Sequence, residues 1–138
     1  MIEIRPFTIT DYEPALALWR SLEGVGLSAA DSRENIEQFL LRNPGLNFVA
    51  GEGNKLVGTV LCGHDGRRAY LYHVAVAPSH RRQKIGCALV ERCVNALRQY
   101  GIEKCHLFVF GNNEPAIAFW KRNGWIMRTD IMLMSKKL

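Results

Sequence analysis

Residues 69 to 110 read as strand, helix, strand, and that stretch narrows the possible folds more than any other feature of the chain. Ala69 to Val76 is rich in β-branched and aromatic residues and stops before Pro78. Ile85 to about Tyr100 sets Leu89, Val90, Cys93, Val94 and Leu97 at helical spacing, and Gly101 follows as a stop. Cys105 to Phe110 is again a strand. A helix between two strands lets them run parallel through a right-handed crossover. The preceding strands are joined differently. Only Glu52-Gly53-Asn54 separates Leu46–Gly51 from Lys55–Gly63, and His64-Asp65-Gly66 turns the latter into Ala69. Loops this short join antiparallel strands. The expectation is an α/β fold whose central sheet is mixed.

The flanks fit that frame. Ile2 to Pro6 reads as a first strand. Asp11 caps a helix from Tyr12 to about Glu23, with Ala15, Leu18, Trp19 and Leu22 on one face. Gly24 and Gly26 break it. Asp31 with Glu34 gives a capping-box-like start to a second helix, striped by Ile36, Phe39 and Leu40 and stopped at Asn43-Pro44-Gly45. Pro115 to Asn123 reads as a short helix closed by Gly124, and Trp125 to Met134 as one or two last strands. No linker or repeat interrupts the chain, and 138 residues suffice for one core, so a single domain over residues 1–138 is expected.

Composition excludes several classes. With 48% hydrophobic residues and no low-complexity tract, disorder is not expected. Runs such as Leu107 to Phe110 are far shorter than a membrane span, and the N-terminal residues alternate like a strand and lack the layout of a signal peptide. A cytoplasmic protein without membrane attachment is the expectation. Cys62, Cys87, Cys93 and Cys105 form no CxxC pair and have no histidine at zinc-like spacing, which points to reduced thiols and no metal. The net charge of +5 is concentrated in Arg81, Arg82 and Lys84 and in Arg67 and Arg68. Such clustering suits a discrete anion site better than a nucleic-acid surface, for which no motif is present.

The segment from Val76 to Leu89 carries the chemistry. A strand ends, a basic loop turns, and a helix starts at a glycine. The first amides of a helix lack intrahelical acceptors and sit at the positive end of its dipole. A diphosphate fits there if no side chain blocks it, and Gly86 and Ala88 keep the approach clear.

The spacing Gln83-x-x-Gly86-x-Ala88 resembles the Q/R-x-x-G-x-G/A loop of the GNAT N-acetyltransferase superfamily. Asn113-x-x-Ala116-x-x-Phe119-Trp120-x-x-x-Gly124-Trp125 is similar to that family's N-x-x-A-x-x-x-Y-x-x-x-G-F/W helix signature. The order of elements agrees along essentially the whole chain. The resemblance implies a GNAT acyltransferase fold: a mixed central sheet flanked by helices, in which two parallel strands splay apart and admit pantetheine. It implies acetyl-CoA as cosubstrate, an amine as acceptor and direct transfer between them. Val74 and Val76 would pair with pantetheine. Arg81, Arg82, Gln83, Lys84, Gly86, Cys87 and Ala88 would surround the diphosphate, and Asn113 would stand at the other lip of the cleft. A homodimer is left open.

The departures from the family pattern concern catalysis. The family often has glycine where Lys84 stands, and lysine suits that position only if φ is negative. Trp120 replaces the tyrosine that can protonate the leaving thiolate, and an indole N–H is no general acid near neutral pH. Trp120 would shape the thioester end of the pocket instead, and a catalytically idle acyl-CoA-binding module is the alternative this substitution raises. The strand before the basic loop carries no carboxylate. Same-face counting back from Val76 and Val74 reaches Tyr72 and Tyr70 and places His73 on the opposite face unless a bulge re-aims it. Tyr70, Tyr72 and His73 are the candidates for moving the amine's proton. On the acceptor side, His64, Arg67 and Arg68 share one polar turn suited to a carboxylate, and Trp19 is a candidate wall.

Overall fold

Five strands lie side by side in chain order in the computed structural model, which describes residues 1–138. β1 (Ile2–Pro6) pairs antiparallel with β2 (Phe48–Glu52), β2 with β3 (Lys55–His64), and β3 with β4 (Ala69–Val76). β5 (Cys105–Leu107) joins β4 in parallel after the crossover helix α3 (Ile85–Gln99). The expected mixed sheet is therefore present, with β4 limited by its hairpin turn and by Pro78, as read from the sequence.

Alternation along β3 assigns the helices to faces. Thr59 accepts a hydrogen bond from Trp19 of α1 (Tyr12–Arg20), and Gly63 lies under Phe39 of α2 (Arg33–Arg42). Gly58, on the other face, lies under Leu89 of α3. A Cβ on Gly58 would sit 3.1 Å from the Leu89 side chain, 3.2 Å from the Ala75 carbonyl oxygen and 3.3 Å from the Ala50 Cβ. The helix packs this close because position 58 has no side chain. Trp19, Leu46, Val49, Val57, Val60, Leu89 and Cys93 are fully buried around these contacts. No helix is long and apolar enough to cross a membrane.

Several boundaries differ from the sequence reading. α1 ends at Arg20, short of Glu23. α2 is capped by Ser32, whose hydroxyl accepts from the Asn35 N–H at 3.2 Å, and not by Asp31. Asp31 closes a 3-10 turn (Ala29–Asp31), where its carboxylate accepts the Ser28 N–H at 3.0 Å. β5 stops at Leu107, three residues before Phe110. Residues 125–138 contain no strand: a strand exists only where a neighbour pairs with it, and no ladder includes these residues.

The chain divides into two compact units, Met1–Phe108 and Val109–Leu138. The second is built on α4 (Glu114–Arg122). Asn113 caps it, its side chain accepting from the Ala116 N–H at 3.3 Å. Gly124, at φ 87°, lets the chain fold back so that Trp125 N–H reaches the Trp120 carbonyl at 3.0 Å.

Candidate active site

β4 pairs with β5 only at Ala69, Tyr70 and Leu71. From Tyr72 to Val76 its β5-facing edge has no strand beside it. That open edge holds Val74 and Val76, and it leads directly into the basic loop. The loop entrance is fixed by His80, a buried residue whose Nε2 lies 2.9 Å from a Glu52 carboxylate oxygen and whose Nδ1 lies 2.8 Å from the Ser79 hydroxyl. The hydrogen bond from His80 holds the Glu52 carboxyl below its usual range.

Arg81, Arg82, Gln83 and Lys84 are all exposed. Lys84 is the N-cap of α3 at φ 61°, ψ 23°, a left-handed conformation, with no side-chain cap and no acidic residue in the first turn. This corrects the expectation of a negative φ. A left-handed residue followed by a helical one turns successive N–H groups toward one side, forming a concave anion nest. Arg82, at φ 66°, is also left-handed. Gly86 and Cys87 are half-buried and Ala88 is exposed in the first turn. The candidates for an anion read from the sequence are thus brought together around the start of α3, which has no side-chain cap.

β4 carries a bulge immediately before this loop. Between the pairs Leu61–Tyr72 and Thr59–Ala75, His73 and Val74 stand opposite the single Val60. The bulge reverses the alternation of side chains. Tyr70 and Tyr72 share the α1/α2 face with Gly63 and Leu61, whereas Val76 pairs with Gly58 and faces α3. The regular count that grouped both tyrosines with Val76 is corrected by this extra residue.

His73 itself adopts φ 48°, and its ring turns to the α1/α2 face. There it packs 4.6 Å from the Trp19 ring, centroid to centroid, and its Nε2 lies 2.6 Å from Asp31 Oδ1. The backbone of the bulge is tied down as well. Trp19 Nε1–H donates to the Thr59 hydroxyl at 2.8 Å, which in turn donates to the His73 carbonyl at 2.8 Å. Trp19 is wholly buried, so it supports the bulge from behind and is not among the residues lining the neighbouring cavity. That cavity, of about 350 Å³, is lined by Tyr12, Leu16, Arg20, Leu27, Ser28 and Asp31, among others.

The tyrosines form a small aromatic row. Tyr70 stacks on Tyr72 at 6.4 Å and on Phe108 at 5.9 Å, and Phe39 meets Tyr72 edge-on. Burial pushes the Tyr72 phenol above its ordinary range, so it stays protonated around neutral pH. Cys62 is no candidate nucleophile. Its contact with Cys105 acts to lower its pKa, but Cys93 and burial outweigh that and push the thiol up.

His64, Arg67 and Arg68 lie at the β3–β4 hairpin, at the end of β4 away from the basic loop. The turn is held by the Asp65 carboxylate, which accepts the Arg67 and Arg68 N–H groups at 2.8 Å each, and by His64 Nδ1, which accepts the Gly66 N–H. In the second unit Trp120 is half-buried, edge-on to Phe119 at 5.0 Å and to Trp125 at 5.1 Å, and the Asn113 amide oxygen is occupied by its helix cap.

Sequence reasoning missed Asp31 and Thr59 as partners of His73. A local signal for the Asp31 turn existed: Ser28-x-x-Asp31 is a capping-box spacing, one residue set earlier than the one chosen.

Residues 12–125 match the model of the acetyltransferase (GNAT) family. The chain belongs to that family. The match crosses the division between the two compact units. Among relatives of this GNAT chain, an acetyltransferase of Sodalis glossinidius (strain morsitans) is 31% identical over 137 residues, covering 99% of this chain and 96% of the relative. One of Pectobacterium atrosepticum is 32% identical with the same coverage. Among solved structures, the PaiA N-acetyltransferase of Thermoplasma acidophilum in complex with coenzyme A superimposes with a TM-score of 0.76 at 21% identity, covering 90% of this chain and 89% of that one. The GNAT fold is thereby shown.

Proposed function

We propose that this GNAT chain transfers an acetyl group from acetyl-CoA directly to an amine. The observation that carries the reading is the continuity of the open β4 edge, the bulge at His73 and the uncapped start of α3. Coenzyme A bound to the Thermoplasma relative supports it.

The residues present fit acetyl-CoA. The start of α3, which has no side-chain cap, the nest at Lys84 and the cations Arg81 and Arg82 suit a diphosphate, and no carboxylate stands in the first turn to repel it. The β4 edge beyond Leu71 offers backbone groups to an extended amide chain. When bound, acetyl-CoA supplies the activated acyl group.

The remaining requirement is a proton acceptor. Transfer forms one carbon–nitrogen bond and breaks one carbon–sulfur bond. The electron pair leaves on sulfur, and the amine's proton must be taken up. His73 serves as that base in this reading, two residues past the last β4–β5 pair. Tyr72 stays protonated and serves as a donor, not as a base. The thiolate of CoA, near the ordinary thiol pKa of about 8.5, leaves without needing a strong acid. Trp120 in place of tyrosine is therefore compatible with turnover.

The test is a thermal melt with and without acetyl-CoA, followed by mass spectrometry of products from a panel of peptides, amino acids and polyamines. At 100 times its dissociation constant the ligand adds about 2.7 kcal/mol of apparent stability. Gly86→Glu removes that gain by steric block and like charge. A wild-type melt indifferent to acetyl-CoA overturns the proposal.

A further inference from the structure

We infer that Asp31 is a positioning residue for catalysis: it holds His73 in the one tautomer that leaves Nδ1 free to take the amine's proton. The inference rests on the acetyl-transfer reading and adds a residue to it from outside the β4 strand.

An ionised carboxylate can only accept hydrogen bonds. With Asp31 Oδ1 2.6 Å from His73 Nε2, the proton of the neutral ring belongs on Nε2. The lone pair then belongs on Nδ1. That nitrogen makes no hydrogen bond within the protein and is not among fully buried unpaired atoms, so no protein group occupies its lone pair. Asp31 is itself fixed from three sides. Its second carboxylate oxygen accepts the Ser28 N–H at 3.0 Å, its carbonyl accepts the Tyr12 hydroxyl at 2.6 Å, and it closes the Ala29–Asp31 turn. The pair is largely shielded, with 12% and 13% of the two side chains exposed, so the contact is not a loose surface one. His73 cannot turn away, because Trp19 packs on its ring and Thr59 holds its carbonyl.

The step balances simply. The amine nitrogen bonds the acyl carbon, its proton passes to His73 Nδ1, the sulfur departs with the electron pair of the broken bond, and Asp31 keeps its contact with Nε2 of the resulting imidazolium. This is the division of labour by which a carboxylate makes a histidine an effective base without itself taking the proton.

Asp31 also lines the 350 Å³ cavity, so the rival role is direct binding of an acceptor ammonium. The two roles differ in what they move. Asp31→Asn and His73→Gln are made singly and together, with acetyl-CoA and the best amine of the panel as substrates. If Asp31 positions His73, Asp31→Asn lowers kcat about 100-fold or more with KM for the amine changed less than threefold. It has little further effect in the His73→Gln background. Nitrogen NMR of the wild-type ring shows the proton on Nε2, and Asp31→Asn shows a mixture. Acetyl-CoA still raises the melting temperature of each variant, confirming that each is folded and ligand-competent.

A raised KM with unchanged kcat, equal effects of Asp31→Asn in both backgrounds, or a wild-type ring protonated at Nδ1 each overturns the assignment. A wild type that neither binds acetyl-CoA nor forms product overturns the acetyl-transfer reading itself, and the assignment with it.

Discussion

Lys84→Gly separates the two tasks that fall on the residue before α3. A non-glycine residue in the left-handed region costs roughly 1–2 kcal/mol, and Lys84 sits there at φ 61°. Glycine removes that cost but gains chain entropy when unfolded, roughly 0.5–1 kcal/mol in the opposite direction. The net expectation is a gain of about 0.5–1 kcal/mol, or about 2–4 °C in melting temperature for a chain of this size. The same change deletes one exposed cation from the anion nest, so acetyl-CoA binds several-fold more weakly at low salt, and the deficit shrinks as salt screens the charge. Lys84→Ala is the control: it loses the cation but keeps a Cβ in the left-handed region, so affinity falls equally while the unliganded melt does not rise. Melts without ligand, and acetyl-CoA titrations at two salt concentrations, read both effects. If Lys84→Gly melts below the wild type, the strain argument is wrong. If its affinity deficit ignores salt, the lysine makes a desolvated contact and does not act as a loop charge.

Gly58→Ala is expected to destabilise by about 1–3 kcal/mol, because its Cβ meets both the Ala75 backbone and Leu89 at under 3.3 Å; an unchanged denaturation midpoint would refute the packing argument. Arg5→Gln is expected to cost about 1–2 kcal/mol at pH 7 and to change the acid limb of stability. In the wild type, burial pushes the Asp11 carboxyl up, but paired bonds from Arg5 and one from the Thr8 N–H outweigh it and hold it below its ordinary value. A depressed carboxyl contributes stability above its unfolded value, lost as pH falls through the folded one. Without Arg5 that loss starts at a higher pH, which urea denaturation between pH 3 and 7 resolves.

Much of the fold was legible because it rests on local pattern. The period of the Ile85–Gln99 stripe, Gly101 after it and the two short hairpin loops are enough to suggest a parallel pair beside an antiparallel sheet. The basic loop before α3 was legible for the same reason, since glycine and cations near a helix start are neighbours in sequence. The proposed proton acceptor was only half legible. His73 was identified as a candidate, but its direction was not, because a bulge is set by tertiary bonds. Trp19 reaches Thr59 across the sheet and Thr59 reaches the His73 carbonyl, and neither bond leaves a pattern within β4. The last strands failed for a related reason: apolar residues around Trp125–Met134 satisfy a strand pattern, yet strand formation depends on a partner that pattern cannot name.

The positions of backbone strain argue for where the chemistry lies. Glycine takes the left-handed conformation at Gly45, Gly53, Gly66, Gly101 and Gly124, all of them turns or helix ends, where it is inexpensive. The residues that take it with a side chain are His73, Arg82 and Lys84, and all lie within one stretch of β4 and its following loop. Glycine at Arg82 and Lys84 would relieve strain but remove cations from the nest. Glycine at His73 would keep the bulge and lose the ring that faces Asp31. In each case the strained backbone aims a group that only the side chain supplies: two charges at the start of α3 and one imidazole on the α1/α2 face of β4. Such conformations persist only where surrounding bonds over-determine them, and the ties from Trp19, Thr59 and Asp31 do this for His73. Strain without a function would be expected to scatter along the chain. Here it is confined to the segment that joins the proposed proton acceptor to the proposed diphosphate site.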